Sequence, residues 1–408
     1  MKKVLKMAAA MVTVLTLAAC SSSPGMKDTA VDRNTAADKK TNVQTDQKTE
    51  QTTGGGTDKA SPARIALVLQ QGGLGDKGYN DDGLAGLERL KSEYGIEYVT
   101  VEPTDLAQGE TYLRELGEEE YDVIISIEYG IKDYMYQVAP DYPESIFVIF
   151  GKYANGTDLV KSDNVVELTF NYCEHSYLAG VAAAYLSKGN TIIDGVGQRE
   201  GSNIAILCAT ESLGFYRYAD GFMQGATDYD PDCNVYTDFT VGFTDTAMCK
   251  TIAENMITNK NCDVIWTCCG TAGLGGLQAC TENDAFGIGV DCNQDYIEEG
   301  HTLTSVMRNT ATSIHQIGTL YKEGKLKGAE INCNLANGIL DITDMSTIGK
   351  YVTNQESFEE LKALINQTRQ DIISGKINVY DCSESGVRFQ DLEDGRTLNA
   401  DYKFYGEQ

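Results

Sequence analysis

Histidine occurs only three times in the 408 residues, at positions 175, 301 and 315, and no two of these are spaced as a metal-ligand pair. That scarcity speaks against a histidine-based metal centre. The chain also has no His-Glu-x-x-His, no Gly-x-Ser-x-Gly elbow and no P-loop. Basic residues are in short supply: 33 Lys plus Arg stand against 60 Asp plus Glu, a formal charge of -27. Such a surface repels phosphate backbones and anionic headgroups, so no nucleic-acid partner is expected. Beyond residue 20 no apolar run is long enough to span a bilayer. Among 12 cysteines no Cys-x-x-Cys occurs, and Cys268 and Cys269 are adjacent, which is poor zinc spacing. Glycine plus proline is too sparse, at 41 and 6 residues, and apolar content too high, at 42%, for a fibrous or wholly disordered chain. A globular protein of about two domains is the expectation, at roughly 100–200 residues each.

What is present begins with an export pattern in residues 1–20. Lys2, Lys3 and Lys6 precede a short apolar run that ends Leu17-Ala18-Ala19-Cys20, as in a secretory signal. The small residues before the cysteine resemble a bacterial lipobox, which implies cleavage and lipid attachment at Cys20 and a lipid-anchored, extracytoplasmic position on a bacterial cell membrane. Residues 21–61 are Ser, Thr, Lys, Asp, Gln and Gly with almost no large apolar side chains. They cannot offset their ordering entropy and read as a disordered tether of roughly 35 Å reach. The remaining eleven cysteines leave at least one unpaired or paired between chains. Several fall in apolar strand patterns, where cysteine packs as a small hydrophobe.

From about residue 63, short Val/Ile/Leu runs alternate with amphipathic segments. Strands are expected at 64–70, 97–101, 122–127 and 145–150, with helices between them, and the beat resumes after a helix at 177–186 with strands at 203–209, 234–239, 263–267 and 286–290. This is α/β architecture in two tandem doubly wound halves, each a parallel sheet with helices on both faces. A further strand is read at 303–307, a helix at 313–323 and a late helix at 356–374. The expected division is 62–170 with about 303–335 as the N-terminal lobe, 171–302 with about 336–380 as the C-terminal lobe, and 381–408 as a tail. Two such lobes place a cleft at the carboxyl ends of their strands.

The turn after the first strand, Gln70-Gln71-Gly72-Gly73-Leu74-Gly75-Asp76-Lys77-Gly78-Tyr79-Asn80, has three readings. Gly73-x-Gly75-x-x-Gly78, with Glu102 as a late acid, fits a dinucleotide fingerprint, but Asp76, Asp81 and Asp82 crowd the helix start where a pyrophosphate would sit. A tight turn capped by Asn80 or Asp81 is the plain alternative. The third reading comes from likeness. Gly-Asp-Lys-Gly-Tyr-Asn resembles the Gly-x-Asp-Asp-Lys-Ser-Phe-Asn motif of the basic membrane protein family, the PnrA-like nucleoside-binding lipoproteins of ABC importers. Ser176-Tyr177-Leu178-Ala179-Gly180, Gly221-Phe222-Met223-Gln224-Gly225-Ala226, Gly242-Phe243-Thr244-Asp245, Gly289-Val290-Asp291-x-x-Gln294 and Leu303-Thr304-Ser305-Val306-Met307-Arg308-Asn309 are similar to that family's motifs, collinearly over about residues 63–380.

The resemblance implies a two-lobed, periplasmic-binding-protein-like (type I) fold and a substrate-binding lipoprotein of an ABC importer, with permease subunits and a purine nucleoside or related small solute as partners, no cofactor and no catalysis. It implies ligand contacts from Gln70, Tyr79, Asn80, Phe222, Phe243, Gly270, Asp291 and Arg308. Tyr79 and Phe243 would stack the base. Asp291 would accept the ribose hydroxyls, Arg308 would donate to the ribose or clamp Asp291, Asn80 would pair with the base edge, and Gly270 would allow close backbone approach. Packing in a helix core is the competing role for Phe222, and capping the competing role for Asp291. The sequence departs from the family's usual aspartates at Gln70, Gly75 and Gly151, which leaves a modified nucleoside, a free base or another polar solute open. An exported nucleoside-processing enzyme and a surface sensor on the same fold are the alternatives.

Overall fold

The computed structural model describes residues 62–151, 161–392 and Phe404; the signal-like segment, Cys20 and the tether lie outside the described residues. The first half runs β1 (Arg64–Val68), α1 (Tyr79–Tyr94), β2 (Glu97–Val101), α2 (Gly109–Glu118), β3 (Val123–Ser126), α3 (Lys132–Val138), β4 (Ile146–Phe150) and β5 (Val165–Phe170). The second runs α4 (Tyr172–Ser187), β6 (Asn203–Cys208), α5 (Leu213–Tyr229), β7 (Asn234–Asp238), α6 (Thr246–Lys260), β8 (Val264–Cys268), α7 (Gly273–Glu282), β9 (Phe286–Asp291) and β10 (Thr302–Met307). The chain then passes through α8 (Thr310–Lys322), β11 (Glu330–Cys333), β12 (Asp341–Ile342), α9 (Gln355–Ile373) and the short α10 (Cys382–Ser385).

Two six-stranded sheets result, in the orders β11-β5-β4-β3-β1-β2 and β12-β10-β9-β8-β6-β7. Among the described residues every pairing between these strands is parallel except that of β10 with β12. The unbroken apolar runs of β3 and β4 are buried along their whole length, as strands covered on both faces must be. Helix α4 is apolar all round and buried from Ser176 to Ser187, because it is enclosed by the second sheet, α5 and α9.

The structure moves one expected boundary. The strand at 303–307 was placed with the N-terminal lobe, yet β10 pairs with β9 in the second sheet, Val306 opposite Val290 and Met307 opposite Asp291. The physical reason is the short β9–β10 connection, which delivers the chain beside the strand it has just left. Only at α8, which packs on α1, does the chain return to the first half. The segment from Asp381, expected as a separate tail, is docked on α5: Asp381 pairs with Arg217, Arg388 with Asp220, and Phe389 is buried.

All eleven cysteines among the described residues are free thiols, and all but Cys292 are buried. The ten buried ones occupy core positions as packing groups. Cys249 and Cys269 stand Sγ to Sγ 3.6 Å apart.

Candidate ligand cleft

The carboxyl ends of both sheets face a common region, and the turns that follow the strands supply its side chains. After β1, the glycine-rich turn folds around Asp76. Its carboxylate accepts from the backbone N–H groups of Gly78, Asn80 and Asp81 at 2.9, 2.9 and 3.2 Å, and Asp81 accepts from Gly75 and Lys77. The amides that a pyrophosphate would need are therefore occupied, and Glu102 lies against Gly73, where a Cβ would come 2.9 Å from its Cδ. Both observations remove the dinucleotide reading. The N-cap position is Gly78, and the carboxylate that satisfies the first helical amides is that of Asp76, not of Asn80 or Asp81. Asn80 is buried and its Oδ1 accepts from the Gln70 N–H at 2.8 Å. That bond closes the turn that carries Gln70, whose side chain is half-buried.

Arg308 is the centre of the site. It follows β10, and its backbone N–H donates to the Asp291 carbonyl at 2.8 Å, which sets the two side chains alongside, Nη1 to Oδ1 3.6 Å. Nη2 donates to Tyr79 Oη at 3.1 Å and to Tyr172 Oη at 3.0 Å. The guanidinium carbon stands 4.1 Å from the Tyr79 ring centroid, a cation–π contact. Tyr79 is only 3% exposed, so the ring expected to face a base carries Arg308 on one face instead.

Asp291 adopts a left-handed backbone, φ 69°, a conformation few residues other than Gly, Asn and Asp take. This aims its carboxylate off the end of β9. Burial raises its pKa to about 6; Arg308 opposes that rise and Asp76 adds to it. The group is therefore largely ionised at pH 7 and takes up its proton as pH falls through about 6.

On the opposite side Phe243 is 38% exposed, its ring 5.9 Å from Phe215. Its loop is held by Ala272, whose N–H donates to the Phe243 carbonyl at 2.9 Å. Gly270 has φ +59° beside that ring, so it gives the loop its turn. From Phe215 the aromatic contacts continue to Tyr218, Tyr172 and Phe170, at 6.3, 4.5 and 5.3 Å. Phe243 stands at one end of this run of rings, and the Arg308 guanidinium joins Tyr79 to it, 4.1 Å from the Tyr79 centroid and 5.4 Å from that of Phe170. Phe222 is corrected outright: it is fully buried with its ring 5.4 Å from Trp266, and packing accounts for it.

Tyr172 and Tyr218 escaped the sequence reading, and the motif residue Gln294 had no role assigned there. Both tyrosines sit on helix faces that read as core. Gln294 reaches across the cleft: its Nε2 donates to the Lys77 carbonyl at 3.2 Å, as does Cys292 Sγ at 3.3 Å. Those bonds tie the second half to the turn that carries Tyr79. Gly151 leaves room for Tyr129, whose ring a Cβ there would meet at 2.8 Å. Among the described residues no group of His, Cys, Asp or Glu is arranged to hold a metal ion.

The profile described as ABC transporter substrate-binding protein PnrA-like matches residues 63–383. An ABC transporter nucleoside-binding protein of Lactococcus lactis is 27% identical over 341 residues, covering 78% of this chain and 88% of its own. Basic membrane protein A of Borreliella burgdorferi is 27% identical over 339 residues, covering 80% and 90%. In structure, an ABC transporter solute-binding protein from Aeropyrum pernix is similar with a TM-score of 0.69 at 22% identity, covering 82% of this chain and 98% of that one.

Proposed function

Since the chain belongs to the PnrA-like family of ABC transporter substrate-binding proteins, we propose that it captures a nucleoside or a closely related uncharged solute in the cleft between its two halves and presents it to a membrane permease. The observation that carries this reading is the Asp291–Arg308 pair, an acceptor and a donor converging where the two sheets meet, which suits the vicinal hydroxyls of a sugar. Phe243 supplies the exposed ring for a base. The nucleoside-binding relative from Lactococcus lactis supports that choice of ligand. Closure around it is favoured because contacts from both halves are made only together. Cys20, through its lipid, would hold the protein on the outer face of the cell membrane.

Incubation with labelled inosine and adenosine tests the reading. Unchanged nucleoside recovered bound supports a receptor; released base signals a hydrolase; no retained label for either rejects the ligand class. Phe243→Ala is expected to weaken nucleoside binding roughly 5- to 30-fold, the loss of one stacked ring at about 1–2 kcal/mol. Calorimetry reads this directly, and unchanged affinity would place the base elsewhere.

A further inference from the structure

Three crossovers join the halves: β5 to α4, β10 to α8, and the 334–340 segment between β11 and β12. They are laced together. The Asn171 N–H donates to the Cys333 carbonyl at 2.9 Å, and Asn309 Nδ2 to the Ile339 carbonyl at 2.9 Å. The third tie is Arg308 to Tyr172, side chain to side chain. Tyr172 therefore stands on one hinge strand and holds a ligand-site residue that stands on another.

What fixes Tyr172 lies partly outside the cleft. Its ring is stacked between Phe170, at 5.3 Å and 1°, and Tyr218, at 4.5 Å and 29°. The Arg217 guanidinium lies 5.3 Å from the same ring. Arg217 is gripped in turn by Asp381: Nε lies 2.9 Å from both carboxylate oxygens and Nη2 2.5 Å from Oδ2, a forked, charge-assisted pairing that fixes direction as well as distance. Asp381 belongs to a strap laid over α5. Tyr380 N–H donates to Gln224 Oε1 at 2.8 Å, and Asp220 accepts from Arg388 Nε and Phe389 N–H at 2.8 and 3.0 Å. Arg217, Asp220 and Gln224 are spaced to share one face of the helix. Only Arg217 of the three also touches the hinge.

We propose that Arg217 and Asp381 are positioning residues for ligand binding: the clamp they form holds Tyr172, and through it the Arg308 guanidinium, in the orientation the ligand meets. The inference rests on the proposed role of Arg308 and Asp291. Arg308 Nε is buried with no hydrogen-bond partner, so its polar anchoring rests on the two tyrosine hydroxyls and Asp291, with the Tyr79 and Phe170 rings against its plane. Loss of the Tyr172 contact leaves a long side chain free to turn, and that freedom must be given up again on binding.

The test compares two clamps on the same strap in the mature, full-length protein. Arg217→Gln and Asp381→Asn are each expected to weaken adenosine and inosine binding about 10-fold, with the double variant no worse than either single one, as for two members of one unit. Asp220→Asn and Arg388→Gln, which loosen the strap without touching Tyr172, are expected to lower thermal stability comparably and leave affinity within about 2-fold. Amide exchange gives a ligand-independent readout: Arg217→Gln should speed exchange at residues 171–173 and 308–310, whereas Asp220→Asn should not. Equal affinity losses from both clamps, or no change at either hinge crossover, would overturn the proposal. Asp291→Asn separates this from failure of the site itself. If that variant binds normally, the ligand reading falls and this inference with it; if it alone abolishes binding while Arg217→Gln does nothing, only the positioning role is lost.

Discussion

Asp291→Asn is expected to weaken ligand binding by two orders of magnitude or more, about 3 kcal/mol. Two losses combine. A ligand hydroxyl exchanges a charged acceptor for a neutral amide, worth about 1.5–3 kcal/mol, and buried Arg308 loses the Asp291 carboxylate paired with it, which is costly in a desolvated site. The same group predicts a pH signature. Its folded pKa, about 6, is raised from an ordinary 3.8. The fold therefore binds this proton more tightly than the unfolded chain does. Asp291 contributes stability that is fully present below about pH 4 and is lost as pH rises through 6. Ligand affinity runs the other way, because the ionised form is the better acceptor. Between pH 7 and pH 5 the wild type should lose affinity while the ligand-free protein gains stability relative to Asp291→Asn. Calorimetry and thermal melts over pH 5–8 check both halves, and an affinity flat across that range in the wild type would remove Asp291 from the ligand.

The alternation of apolar runs and amphipathic segments made both sheets legible, because parallel strands buried on two faces leave few ways to write a sequence. Strand partnership was less legible. The β10 pattern is the same whichever sheet receives it, and its place follows from the length of the connection before it. At the site, Asp291 and Arg308 could be found because each ends an apolar strand with a charge. Tyr172 and Tyr218 could not, since an aromatic at the start of a buried helix reads as core until the opposite ring is seen. Phe222 errs in the other direction: a helical ring fits a ligand as well as it fits the packing it serves. The Arg217–Asp381 clamp joins residues 164 apart, a pairing that no local pattern encodes.

The motif glycines have a physical cause of their own, and it yields the largest stability effect. Helices α4 and α5 meet backbone to backbone at Gly180, Gly221 and Gly225. A Cβ on Gly225 would overlap the Tyr177 carbonyl oxygen and stand 2.8 Å from its carbon; one on Gly180 would overlap the Phe222 carbonyl oxygen and stand 2.9 Å from the Ala226 nitrogen. No side chain can turn aside to make room, so the helices must separate and forfeit dispersion along the whole contact. Gly225→Ala is expected to destabilise the fold by about 3 kcal/mol, the upper end for overpacking, despite the roughly 1 kcal/mol that alanine gains in helix propensity. Adding Gly180→Ala should cost less than a second full increment, since helices already parted admit the second methyl more easily. Gly214→Ala is the control on the same helix. Its Cβ would meet nothing nearer than Ser212 Oγ at 3.9 Å, and stability should rise slightly. Denaturant unfolding of the three variants measures all of this. Because α4 carries Tyr172 and α5 carries Tyr218, parting them should also weaken the ligand. A Gly225→Ala protein as stable as the wild type would mean that this helix contact is not where the motif acts.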